Sequence, residues 1–458
     1  MKKALLALSF ALINSMLFAQ DSLSLSGFLQ VVHTNHPLFE AARLNVDMAS
    51  GKLMAARGKF DPTIEVYTSE KTFNGSDYFD HNIAQLKIPV YSGIELKTGY
   101  ELNTGKYLNP ELTTPAEGLY YTEIAVPVLR NLLINQGRAE VLMQEAMLEQ
   151  SEYELRLAQN NLIYHISSVY WEYQAAYELL KLYRDAIGVA QNRFDFVKRS
   201  YSLGKYAAID TVEAYMEWQR RLALLNETEV NYALNSYALS NQYWLSDSLS
   251  DVSFNPLNNP LLHLDSMVAL TEVLMVGEHP AIRQIDQKIA TAAIKSNLQK
   301  QQLLPDLTLR YKPLTAGGES LRYSSENFTW GATFSMPLFL RKERGKLVEA
   351  NSKLDQLQYE RLYKVQGLSN DIRAQKESLL KWQDAVAAQR QNVLAAQRML
   401  EAERRKLQLG SATIFMVNYR ERYYLDAQEK LIKTQKEFNK AQSAYLNKLG
   451  VDVFQLIN

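Results

Sequence analysis

The chain has 458 residues, with 50 basic and 50 acidic side chains, 47% apolar residues, six histidines and no cysteine. A formal charge of zero leaves no basic excess for nucleic acid. The missing cysteines exclude a disulfide framework and thiolate metal sites, and a slightly negative mean hydropathy excludes a helical membrane protein.

In chain order, Lys2 and Lys3 precede a mostly apolar run from Ala4 to Phe18, and Ala19 offers a small residue for cleavage. This pattern predicts an export signal over residues 1–19 and an exported mature protein. A first repeat follows over 20–245. Asn35-His36-Pro37 opens a helix over about 37–60, and Pro62 ends it. Alternating segments then predict strands at 63–72, around 84–90, at 94–102 and at 120–128. In these, Ala84, Leu86 and Ile88 alternate with Gln85 and Lys87, and Leu96, Tyr100 and Leu102 with Glu95, Lys97 and Glu101. Pro127-Val128-Leu129-Arg130 forms a corner. All 12 prolines fall between Pro37 and Pro127 or between Pro256 and Pro337, so residues 128–255 are free of them. Proline removes a backbone donor and clashes with the preceding turn, so its absence permits a long helix, here over about 138–202. Gly204 ends it, and a further helix spans about 208–245.

After a connecting segment, 246–279, the plan recurs over 280–449. His279-Pro280 opens a helix over about 280–303 and Pro305 ends it, an offset of 243 at both prolines (280 − 37 and 305 − 62). Leu307, Leu309 and Tyr311 suggest one strand. Phe328, Trp330, Ala332, Phe334 and Met336, alternating with small and polar residues, give a second. Pro337-Leu338-Phe339-Leu340-Arg341 is the second corner. A long helix over about 346–408 carries a stripe of Leu347, Leu354, Leu357, Leu362, Val365, Leu368 and Ile372, close to a coiled-coil seam. Gly410 ends it, a helix over about 412–449 follows, and 450–458 is a tail. In each copy the two short helices, about 24 and 38 residues, match one long helix of about 65 residues, roughly 100 Å at 1.5 Å per residue. This predicts a rod in which each long helix lies beside a broken one.

Aromatic residues crowd one face of the strands, and Gln, Lys and Glu line the other. That is the pattern of a membrane barrel with lipid outside and water inside, and it makes Phe328, Trp330 and Phe334 candidate lipid-facing residues. Four to six strands cannot close such a barrel, and an open edge in lipid leaves unpaired backbone groups. Several chains must therefore share it. Three would give 12 strands from the repeat-equivalent pairs, or 18 if the extra hairpin at about 82–103 joins. The position of that hairpin is open at this level.

The helix starts at Asn35-His36-Pro37 and His279-Pro280, the strand entries at Asp61-Pro62 and Leu304-Pro305, the corner Pro127-Val128-Leu129-Arg130 and the Leu-Gly reversals at Gly204 and Gly410 together resemble the TolC-type outer membrane efflux proteins. The corner has Val126 where that family has Gln. The resemblance implies an α+β fold: a homotrimer with a 12-stranded outer-membrane β-barrel continued by a long periplasmic α-helical barrel. It implies an outer-membrane exit duct serving a periplasmic adaptor and an inner-membrane pump or type I exporter. It also directs attention to acidic residues shortly after the second reversal, where this chain has Met416 and Tyr419. The corresponding positions after the first reversal are Asp210 and Glu213, an i, i+3 pair on one helix face. All four are candidates for the pore aperture. For the acidic pair, stabilisation of a helix N-terminus is the competing explanation. Leu203, Gly204, Leu409 and Gly410 are candidates for adaptor docking.

No enzyme or cofactor chemistry is expected. The histidines, His33, His36, His81, His165, His263 and His279, form no H-E-x-x-H pair, and no phosphate-binding glycine loop is present. His36 and His279 occupy capping positions before prolines. The basic residues Arg404, Arg405, Lys406, Arg420 and Arg422 fit a tip that pairs with carboxylates. The competing reading is an exported coiled-coil scaffold without a pore, which would not need the Phe328–Met336 alternation.

Overall fold

The computed structural model describes residues 22–245, 248–249, 254–259, 276–318 and 324–457. The expected export signal and most of the 246–279 connecting segment lie outside the described residues. The helices are α1 Leu25–Asn35, α2 Pro37–Arg57, α3 Gln136–Ser202, α4 Ala208–Ser240, α5 Pro280–Gln301, α6 Arg341–Gln408, α7 Ile414–Leu449 and α8 Val453–Ile457. The main strands are β1 Thr63–Phe73, β2 Ser76–Pro89, β3 Glu95–Thr104, β4 Leu119–Pro127, β5 Asp306–Ala316 and β6 Phe328–Ser335. The chain divides into two compact units. One holds residues up to Arg43, Arg156–Pro280 and Val365 onward; the other holds Leu44–Leu155 and Ala281–Lys364. Each unit draws on both sequence repeats.

The first unit is helical. Its core joins α1, α3, α6, α7 and α8 through Leu25, Phe28, Leu29, Ile166, Tyr170, Tyr173, Leu379, Tyr445, Leu449 and Val453. Burial of each large apolar side chain is worth roughly 1.5–3 kcal/mol. The aromatic hydroxyls keep partners: Tyr170 Oη donates to the Leu23 carbonyl (2.7 Å) and Tyr173 Oη to that of Phe254 (3.1 Å). Burial pushes both phenols well above their ordinary pKa. Helix α1 precedes the first helix that the sequence predicts, which begins at about residue 37. Its four buried residues, Leu25, Phe28, Leu29 and Val32, follow helical spacing over only 11 residues. The Ser24 hydroxyl caps it by accepting the Gly27 N–H (3.3 Å). At the next junction, His36 Nδ1 accepts the Leu38 N–H (3.2 Å). Burial holds that imidazole below its usual pKa, which keeps the accepting nitrogen unprotonated.

The second unit contains the sheet and parts of α2, α3, α5 and α6. Six strands form one sheet in the order β6-β5-β4-β3-β2-β1, antiparallel at every pairing. The extra hairpin is therefore inside the sheet: β2 and β3 lie between β1 and β4. Asn74 and Gly75, with φ of 52° and 72°, make the two-residue turn from β1 to β2, a geometry that matches strand twist. Both corners before the long helices contain a left-handed non-glycine residue, Asn131 (φ 69°) and Leu340 (φ 49°). The two positions differ by one in register, Asn131 following Arg130 and Leu340 preceding Arg341.

The helix lengths depart from the expected match. The shorter helices span 21 and 33 residues against 67 in the first repeat, and 22 and 36 against 68 in the second. Helix α6 begins at Arg341, directly at the corner, because nothing after Pro337 blocks a helical start. The expected seam on α6 is divided: Leu357 and Leu368 are buried, whereas Leu362 is exposed alongside Tyr359 and Tyr363.

Candidate functional site

The sheet has two chemically distinct faces. Pairing aligns Ile88, Leu96, Ile124, Tyr311 and Trp330 as one row across five strands. Ile64 and Leu86, Val66 and Ala84, Tyr100 and Tyr120, and Leu307 and Phe334 extend the same face. Among these, Ile64, Val66, Trp330 and Phe334 are all at least 65% exposed. The expected lipid-facing residues Phe328, Trp330 and Phe334 lie together on this apolar side, all exposed.

The other face is a charge ladder. Lys97 Nζ lies 2.9 Å from Glu95 and 3.6 Å from Glu123, and Lys87 lies 3.3 Å from Glu95. Lys312 Nζ lies 3.3 Å from Glu101 and 3.9 Å from the Tyr121 ring centroid. Tyr121 Oη donates to Gln85 (2.7 Å), and Gln85 Nε2 to Glu65 (2.6 Å). Tyr121 departs from the simple aromatic-versus-polar division. Gly99 makes room for it, since an added Cβ would stand 2.9 Å from its hydroxyl and 2.6 Å from the Ala84 carbonyl oxygen.

In the helical unit, both predicted reversals share one geometry. Gly204 and Gly410 have φ of 73° and 74°. The N–H of Lys205 reaches the Ser200 carbonyl and that of Ser411 reaches Lys406, each at 2.9 Å. Six-residue closures with a left-handed glycine satisfy the last helical carbonyls. Leu203 and Leu409 stand exposed beside them.

Asp210 sits in the first turn of α4, where its carboxylate accepts the Ala207 N–H (2.9 Å). Glu213 lies one turn on, where the neighbouring Asn418 side chain favours its ionised form. Burial nevertheless raises its carboxyl above the usual range, and Asp210 and Glu217 nearby push the same way. The ionised form is therefore penalised in the fold: the penalty is absent below the ordinary glutamate pKa, grows as pH rises through the raised folded pKa and is complete above it. Glu213→Gln should leave thermal stability at pH 7 unchanged or slightly higher, as read from the melting midpoint; a clear loss would contradict this. Met416 is half-buried and its N–H is capped by Thr413 Oγ1 (3.3 Å), while Tyr419 is exposed.

Next to these residues lies a charge cluster that sequence reading missed. Glu421, on α7, is 4% exposed and Arg221, on α4, 1%. The Glu421 carboxylate receives Arg221 (2.5 Å), Arg193 of α3 (2.7 Å) and Arg404 of α6 (2.5 Å). Arg221 also bonds Glu217 (3.2 Å) and donates to the Ala186 carbonyl (3.0 Å), and Arg422 bonds Glu217 (3.0 Å). Four helices meet in this one network. Burial works against ionisation of Glu421, but hydrogen bonds and charges from Arg193 and Arg221 overcome it and hold the carboxyl at about 2. Arg404, Arg420 and Arg422, expected to pair with carboxylates at a tip, do so with Glu421, Glu403 and Glu217. The available signal for the rest was Glu217 and Arg221 at i, i+4, which surface helices also show.

Among the described residues, no helix is long and apolar enough to cross a membrane, and no metal-binding group of acidic and histidine side chains occurs.

Residues 274–450 match the family model of the outer membrane efflux protein. The chain is similar in fold to the CmeC outer membrane channel of Campylobacter jejuni (TM-score 0.65, 13% identity, 94% of this chain and 88% of that one). It is similar to the outer membrane protein VceC of Vibrio cholerae (0.66, 16%, 93% and 96%). It is also similar to the open-state MtrE outer membrane channel of Neisseria gonorrhoeae (0.65, 13%, 93% and 88%). No curated protein matches. The family match falls on the second repeat, and the chain as a whole has the α+β fold of these outer-membrane channels.

Proposed function

We propose that this protein is the exit duct of a tripartite efflux or type I secretion system, conducting substrate passively from an adaptor and inner-membrane pump to the outside. The observation that carries the reading is the two-faced sheet. An uncovered apolar face backed by a charge ladder has no role in a coiled-coil scaffold, but it is what a wall between lipid and water requires. The sheet has two open edges, so closure calls for further copies of the chain, and a homotrimer is the assembly proposed. The exposed α6 residues Tyr359, Leu362 and Tyr363 fit contacts between copies in the helical part.

In this reading the helix reversals form the periplasmic tip. Leu203, Gly204, Leu409 and Gly410 are the proposed adaptor contacts, and Asp210, Glu213, Met416 and Tyr419 line or flank the aperture. Glu213 fits this role better than Asp210, whose carboxylate is engaged with its own helix start.

Carbonate extraction and planar-bilayer recording test the proposal together. The expected result is retention in the membrane and discrete channels from purified protein. Release by carbonate with no channels would overturn it. The double variant Asp210→Ala/Glu213→Ala should reduce cation preference; an unchanged reversal potential would remove the pair from the aperture.

A further inference from the structure

We infer that the β2–β3 hairpin is part of the membrane wall, so that three copies of this chain close an 18-stranded barrel, six strands from each. The inference rests on the proposed trimeric duct and concerns the width of its outer end.

Three observations carry it. First, the hairpin is the middle of the sheet. β1 reaches β4 only through β2 and β3, which are held by pairing from Thr63↔Lys87 to Phe73↔Ser76 with one register shift after Lys71, from Asp80↔Thr104 to Pro89↔Glu95, and from Glu95↔Ala125 to Glu101↔Leu119. A 12-stranded wall would require all these pairings to be broken and β1 to be re-paired.

Second, the hairpin shares both faces of its neighbours. Ile88 and Leu96 continue the Ile124–Tyr311–Trp330 row, and Leu86 pairs beside Ile64. On the opposite side, Gln85, Lys87, Glu95 and Lys97 belong to the charge ladder. A hairpin folded over the mouth or standing in water would need no apolar row in register with the wall.

Third, its turn is anchored at the edge of the sheet where the chain enters and leaves the helices. Residues 90–94 close through Val90 N–H to the Ile94 carbonyl (2.8 Å). Tyr91 packs on Phe60 (5.2 Å between centroids) and under Arg138 (5.3 Å), and its carbonyl accepts from Asn135 (3.3 Å). At the other edge lie the long connection 105–118 and the two-residue Asn74-Gly75 turn. Short turns on the periplasmic side and longer loops outside are the arrangement of outer-membrane barrels.

Closure is geometrically consistent. β6 runs toward the helix edge and β1 away from it, so β6 of one copy meets β1 of the next in antiparallel pairing. Barrel diameter grows roughly in proportion to strand number, so this wall would be about one and a half times as wide as a 12-stranded one.

The absence of cysteine in the chain permits a clean test with single-cysteine variants labelled with bimane. Leu86→Cys, Leu96→Cys, Ile124→Cys and Lys97→Cys would be reconstituted as full-length protein into phosphatidylcholine vesicles with or without brominated acyl chains. Quenching at 86 and 96 within about twofold of that at 124, with little at 97, is the expected result. Quenching at 124 alone would overturn the inference and leave the duct standing. Quenching at none of the three would overturn the barrel reading itself. Native mass measurement of the particle fixes the copy number. A dimer would give 12 strands even with the hairpin in the wall and would likewise overturn the count of 18.

Discussion

Replacing Glu421 with alanine should lower the unfolding free energy by about 3–5 kcal/mol, the range for breaking a buried ion pair from one side. The loss exceeds that of a surface salt bridge because of what remains. Arg221 is 1% exposed, and its guanidinium would keep one bond to Glu217 and one to the Ala186 carbonyl while losing its closest carboxylate. Arg193 would lose the same partner at 2.7 Å. Arg404→Ala, removing a guanidinium whose side chain is 45% exposed, should cost about 1 kcal/mol or less. Guanidinium-induced unfolding followed by far-ultraviolet circular dichroism measures both. Equal losses in the two variants would show that burial of the cluster is not what matters.

The same carboxylate sets an acid limit. Its folded pKa is depressed to about 2, below the ordinary glutamate value near 4.3. Its stabilising contribution is therefore complete above that ordinary value, declines as pH falls below it, and is gone once pH falls through about 2. Glu421→Ala should flatten stability over that window and leave the shape above it unchanged.

What the sequence revealed follows from periodicity and proline. Strand existence was readable at all six positions because alternation of large apolar with polar residues, as in Phe328–Ser335, is dictated by the pleat. The long helices were readable because 128–255 and 338–458 lack proline. Three features were not. Helix α1 is too short for its four apolar residues to stand out. Sheet order is a long-range property: Asn74-Gly75 marks a hairpin, but nothing local states that β2 and β3 stay between β1 and β4. The Glu421–Arg221 network joins four helices across more than 200 positions of sequence, and each member alone resembles a solvated charge. Its neighbours Asp210 and Glu213 were found by carrying the family resemblance to the positions past Gly204, yet position could not distinguish a residue engaged with its own helix end from one turned toward Asn418.

Trp330→Lys should be the most damaging substitution in the sheet. A lysine on the lipid face near the middle of a barrel strand costs about 2–4 kcal/mol, and three copies multiply the effect in a trimer. Trp330 is 70% exposed and pairs with Tyr311 at mid-strand, so the ammonium would meet hydrocarbon rather than the charge ladder. Thr333→Lys is the decisive control. Thr333 lies on the same strand, three residues away, and pairs with Thr308 on the opposite face, where a cation faces water. Folding into lipid vesicles, read from heat-modifiable gel mobility and urea midpoints, should fall sharply for Trp330→Lys and change by less than about 1 kcal/mol for Thr333→Lys. Trp330→Phe should fold normally, since it preserves the apolar surface. If both lysine variants fail equally, the loss comes from the strand and not from its environment, and the assignment of one face to lipid is wrong. If only Trp330→Lys fails, the alternation in Phe328–Ser335 reports a boundary between lipid and water. The register then extends that boundary to every strand paired in the same rows, Ile88 and Leu96 of the inserted hairpin included.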